Sequence, residues 1–158
     1  MSNSLPALAA ALALFLLLAT LPACQPRPAG TVDAPKEAAT MPATPVPVPS
    51  AWTIVSCARG GRTTAAVNDK GFVAVRETSL GGNTGCNSFG ADYTPTKDGR
   101  WEVPGAMATK MFCAEANEQE RMVLEVFNGT VRPAVDGNTL TLTNEDVTLT
   151  LRRDDARL

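Results

Sequence analysis

Residues 82–93 read GNTGCNSFGADY, and the order Gly85-Cys86-Asn87 within them decides how the chain is to be understood. Glycine accepts a positive φ at no steric cost, and asparagine can hydrogen-bond its own backbone two residues on. The triplet therefore predicts a sharp turn between two extended segments. Cys86 stands at the middle of that turn. It could be a nucleophile, a metal ligand or half of a disulfide, and each choice implies a different kind of protein.

Composition narrows the choice. The chain has 158 residues with four cysteines and no histidine. Without histidine the commonest general base and the commonest zinc ligand are missing, so Ser-His-Asp and Cys-His mechanisms cannot be assembled from it. Three downstream cysteines without ligand spacing do not suggest zinc. A redox thiol usually needs a Cys-x-x-Cys pair or a neighbouring cation. No such pair occurs, and Lys110 is the cation closest in sequence to Cys113. The formal net charge of −2 offers no basic footprint for nucleic acid, which is not expected as a partner.

Outward from the turn, "AWTIVS" (51–56) and "GFVAVRETS" (71–79) carry the β-branched and aromatic enrichment of strands, and Asn68–Gly71 supplies a turn before Phe72. "TVRPAV", "TLTLTN" and "DVTLTLRR" (130–135, 139–144, 146–153) form a terminal antiparallel meander, the last two alternating with period 2, so that one face is buried. Between these regions Met122, Val123, Val126 and Phe127 recur at helical spacing, and Asn128-Gly129 ends the run. Glu115 and Glu118 would occupy the first turns of that helix, where its dipole favours negative charge. Thr109, Met111 and Phe112 read as core and N-terminal capping residues ahead of it. Asp154-Asp155 reads as a solvated tail, and Trp52 and Trp101 as packing residues. The fold expected is α+β, strands followed by one helix and more strands.

These residues carry a family likeness. "GNTGCNSFGADY" followed by "MATKMFC" (107–113), with Trp52 in the first strand, Tyr93 ending another and a Glu-rich helix next, resembles the META domain of the HslJ-like heat-shock proteins. The resemblance covers about residues 50–153. It implies a strongly curved antiparallel sheet, close to a cracked barrel, with one helix packed against it. It makes Gly85, Cys86, Asn87, Thr109, Met111 and Cys113 structural motif residues and brings no catalytic mechanism or cofactor. Such domains are linked with envelope stress, drug tolerance and, in some parasites, virulence, and their fold has been likened to that of secretin-pilot lipoproteins. A disulfide between Cys86 and Cys113 is the favoured reading, closing a loop worth roughly 3.5 kcal/mol. Cys57 is then left as a buried thiol, although its pairing with either remains open from sequence.

Two zones precede the domain. Residues 5–23 are an uncharged apolar run ending in small residues, as in a signal peptide. Leu21-Pro22-Ala23-Cys24 resembles the lipobox of bacterial lipoproteins, which implies lipid on the Cys24 thiol and cleavage before it. Residues 25–50 hold seven of the twelve prolines and cannot bury enough apolar surface to fold, so 24–50 reads as a lipidated cysteine and an extended tether of up to roughly 80 Å. Gln25 in place of Asp implies an outer-membrane destination, facing the periplasm. The domain then occupies 51–153 and a polar tail 154–158.

The expectation is thus a non-enzymatic, envelope-anchored META lipoprotein whose partners are the membrane and an unidentified envelope protein. The alternative is a carrier or pilot whose curved sheet encloses an acyl lipid or a partner's helix.

Overall fold

Ten residues, Ser50–Arg59 (β1), form the strand on which the sheet is built. The computed structural model describes residues 44–158. The expected signal segment, Cys24 and the tether as far as residue 43 lie outside the described residues. One edge of β1 pairs along its length with Val147–Arg153 (β11). The other edge is shared: its first half takes Phe72–Val75 (β3) and its second half Arg62–Ala65 (β2). The turn read at Asn68–Gly71 therefore does not join a hairpin, because the strands on either side of it both pair with β1. A bulge interrupts the β1–β11 register between Ile54 and Ser56, where the opposite edge passes from β3 to β2. It turns Val55 outward and shifts the inward phase, so that Trp52, Ile54 and then Cys57 face the core.

From β3 the chain runs through Ser79–Asn83 (β4) and Ser88–Asp92 (β5), then Thr94–Pro95 (β6), Trp101–Val103 (β7) and Met107–Ala108 (β8). After the helix Asn117–Val126 (α1) come Gly129–Asp136 (β9), Thr139–Asn144 (β10) and β11. The sheet order is β6-β7-β9-β10-β11-β1-β3-β4-β5-β8, with β2 on β1, and every pairing is antiparallel. The sheet curls strongly into a half-barrel, and α1 packs on it: the α+β, cracked-barrel architecture expected from sequence. Close backbone approach at the curl is visible at Gly82, where a Cβ would lie 2.0 Å from the Phe72 carbonyl oxygen.

Leu140, Leu142, Leu149 and Leu151 point inward from the terminal meander while the intervening threonines stay nearer solvent. Each fully buried leucine contributes about 1.5–3 kcal/mol by leaving water. They meet Trp52, Val123, Val126 and Phe127, and the Phe89 and Phe127 rings stack 5.4 Å apart. Trp101 is buried against Tyr93, with ring centroids at 4.7 Å.

Three sequence expectations are corrected. The helix starts at Asn117, so Glu118 and Glu120 lie in its first turn and Glu115 precedes it; Ala116 is the cap residue, with no side-chain cap. Thr109, Met111 and Phe112 are exposed rather than core, and none of them caps the helix. Residues 154–158 do not trail into solvent. Asp155–Arg157 forms a 3₁₀ turn, the Asp154 N–H donates to the Ala51 carbonyl at 2.8 Å, and the Thr53 hydroxyl donates to Asp154 Oδ2 at 2.8 Å. Hydrogen bonds from Arg157 and Thr53 hold the Asp154 carboxyl below the usual range, and those from Arg153 and the Ala51 N–H do the same for Asp155.

Candidate functional site

The Gly-Cys-Asn turn connects β4 to β5, and three other segments converge on it. Gly85 adopts φ +105°, and its N–H donates to Asn83 Oδ1 at 2.8 Å. A Cβ on Gly85 would meet Gln119 Nε2 at 2.7 Å, so both conformation and space require glycine here. Gln119, on the buried face of α1, donates from Nε2 to the Thr84 carbonyl and accepts the Val67 N–H at 3.0 Å through Oε1. The Asn68 amide donates to the Gly85 carbonyl at 2.9 Å, tying the β2–β3 loop to the same turn.

Asn87 is the centre of the cluster and is fully buried. Its Oδ1 accepts from the Thr109 hydroxyl and from the Met111 N–H, each at 2.8 Å. Its Nδ2 donates to the Met111 carbonyl at 2.9 Å and to Glu120 Oε2 at 2.7 Å. Thr84 Oγ1 donates to the same carboxylate oxygen at 3.0 Å and accepts the Asn87 N–H at 3.1 Å. One amide thus holds both backbone groups of Met111, the Thr109 side chain and the first turn of α1. The bonds to Glu120 are charge-assisted and stronger than neutral ones.

Cys86 and Cys113 are joined by a disulfide, with Cα atoms 6.1 Å apart and a sequence separation of 27. Staple and amide act on the same object: Cys113 fixes the end of the 107–113 loop, and Asn87 fixes its middle. All six motif residues named from sequence meet in this one cluster, except that the Met111 side chain leaves it for solvent. Sequence reasoning missed Thr84, Gln119 and Glu120. The Glu-rich start of the helix was visible, but its reach back across more than thirty residues to the turn was not.

The third cysteine of the domain, Cys57, is buried in β1, and burial pushes its thiol up to about 11. Its thiolate population at pH 8 is then roughly a hundredfold below that of an ordinary thiol near 9.0. Native-state alkylation of Cys57 with iodoacetamide at pH 8 should therefore be at least a hundredfold slower than in urea, as followed by mass spectrometry. Comparable rates would show that β1 opens readily or that the thiol is not buried.

The space inside the curl is filled by Trp52, Phe127 and the leucine rows. Two grooves open elsewhere on the described residues. A groove of about 510 Å³ is lined by Leu80, Gly90, Ala91, Pro104, Gly105 and Met107, among others. A second, of about 270 Å³, lies where Pro45, Val46 and Val48 meet Tyr93, Trp101 and Pro133.

A family model for the META domain matches residues 46–156. No curated protein gives a significant match. Among solved structures, the NMR structure of a protein from Burkholderia xenovorans is similar at 18% identity, covering 77% of this chain and 99% of that one, with a TM-score of 0.56. Another NMR structure is similar at 23% identity, covering 70% of this chain and 93% of that one, with a TM-score of 0.54. At such identities the likeness speaks for the fold. The family match takes in every strand and the helix described above: the chain belongs to the META domain family.

Proposed function

We propose that this chain is a non-enzymatic, envelope-anchored META-domain lipoprotein that supports stress or drug tolerance through contacts with an envelope protein. The observation that carries this reading is the inward direction of the motif's chemistry. Both motif sulfurs are bonded to each other, and the Thr84, Asn87, Thr109, Gln119 and Glu120 side chains are hydrogen-bonded within the cluster. A catalytic site would leave a nucleophile or a titrating group facing a cleft. Leu21–Cys24 supports the address: lipid on Cys24, in the outer membrane facing the periplasm, with the proline-rich tether carrying the domain into the periplasmic space. A disulfide fits that compartment.

Fractionation tests the address. In the native host the wild-type chain is expected in the outer-membrane pellet, and Cys24→Ala should move most of it out of that pellet. Retention of Cys24→Ala in the outer membrane would contradict anchoring by lipid.

A further inference from the structure

Residues 104–113, PGAMATKMFC, carry a single charge, Lys110. Within this loop three large apolar side chains stand in solvent: Met107 is 83% exposed, Met111 61% and Phe112 87%. Their exposure does not come from a slack backbone. Met107 and Ala108 pair with Gly90 and Phe89 at the sheet edge, both backbone groups of Met111 are bonded to Asn87, and Cys113 is stapled to Cys86. These bonds fix the segment with its bulkiest side chains outward.

We infer that Met107–Phe112 is a membrane-contacting loop. Met107, Met111 and Phe112 enter the acyl boundary of a phospholipid surface, and Lys110 remains among the headgroup phosphates. Apolar side chains flanking a long cationic one are suited to the interface, where the ammonium stays wet while its stem lies along the acyl chains. A protein anchor point would more often sit in a packed pocket ringed by partly buried neighbours; here the side chains project. Glu115 and Glu118 are exposed just beyond the staple, so the apolar stretch, and with it insertion, ends at Phe112. The occupant follows from the address, and to that extent the inference rests on the lipoprotein reading. At about 3.1 Å per residue a polyproline II stretch from Cys24 to Thr44 would span roughly 60 Å. A loop held that close meets the bilayer at high effective concentration, so three shallow contacts suffice to hold it there.

The test uses the full lipidated chain, purified from membranes and reconstituted into phosphatidylethanolamine–phosphatidylglycerol vesicles with brominated acyl chains. Trp52 and Trp101 are buried, so a tryptophan introduced by Phe112→Trp is read by difference from wild type. The control is Arg62→Trp, on the exposed strand β2. Added emission from F112W is expected to be quenched at least threefold more than that from R62W. Equal quenching, in a chain that floats with the vesicles, overturns the loop and leaves the anchor standing. Loss of the threefold difference in F112W carrying Lys110→Glu and Met107→Ser supports the loop; its persistence contradicts it. Absence of quenching in pure lipid, with F112W shielded from acrylamide in native envelope membranes, assigns the loop to a protein partner and also overturns the proposal. Failure of the anchor is read separately, by Cys24→Ala remaining in the membrane fraction.

Discussion

Replacing Asn87 by alanine is expected to destabilise the domain by about 3–4 kcal/mol, measured by urea unfolding. The side chain makes four hydrogen bonds from a fully buried position. Removing it takes one donor from the Glu120 carboxylate, which keeps the Thr84 hydroxyl, and leaves the Thr109 hydroxyl without its acceptor and both backbone groups of Met111 without their partner; a buried orphan costs about 1–3 kcal/mol. Water can reach Met111, whose side chain is exposed, so the total falls below the sum of the largest values. Asn87→Asp separates hydrogen bonding from shape. It sets a second carboxylate against Glu120 Oε2, and two carboxylates sharing a site hold a proton to higher pH than either alone. A carboxyl pKa raised in the folded state contributes stability at low pH that is lost as the pH rises through that pKa. The variant should therefore gain stability on mild acidification, whereas the depressed Asp154 and Asp155 make the wild type lose it as the pH falls below the carboxylate range. An alanine variant within 1 kcal/mol of wild type would show that the cluster is not what holds the loop.

Removing the staple acts on the same loop by a different route. Cys86→Ser with Cys113→Ser is expected to lower stability by about 3.5 kcal/mol, the chain-entropy value for a sequence separation of 27. The effect lies mainly in the unfolded chain, so the folded variant should keep its meander. Hydrogen exchange is the discriminating readout: amides of β10 and β11 stay protected relative to global unfolding, while those of residues 107–113 exchange faster. Loss of protection throughout the sheet would mean that the disulfide holds up the core itself.

The parts of this fold that were legible in the sequence are those with local causes. Thr139–Asn144 and Val147–Arg153 alternate because one face of a meander is buried, and the strands lie where that period put them. Gly85 and Asn87 announced a turn through their own backbone preferences. What escaped depends on distance or on phase. The bulge at Val55 displaces the inward face of β1 by one residue, and nothing in "TIVSC" marks it. Asn87 looked like a turn residue, but most of its bonding runs to Met111 and Glu120, 24 and 33 residues away. Met111 and Phe112 were assigned to the core because large apolar side chains usually go there. The amide of Asn87 decided otherwise, by fixing the backbone of Met111 with its side chain outward. The helix start was misplaced for a related reason: the acidic residue that matters is Glu120, whose task is to receive Asn87 and Thr84.

The direct test of a structural motif is the state of its sulfurs. The chain, purified without reductant, is treated with iodoacetamide first in buffer and then in urea, and the cysteine peptides are mapped without reduction. Cys86 and Cys113 are expected in one linked peptide pair, unlabelled in both steps, with Cys57 labelled only in urea. Recovery of Cys86 carrying the label from folded protein would make it a free, accessible thiol, and the description of the Gly85-Cys86-Asn87 turn as a structural clasp would be wrong.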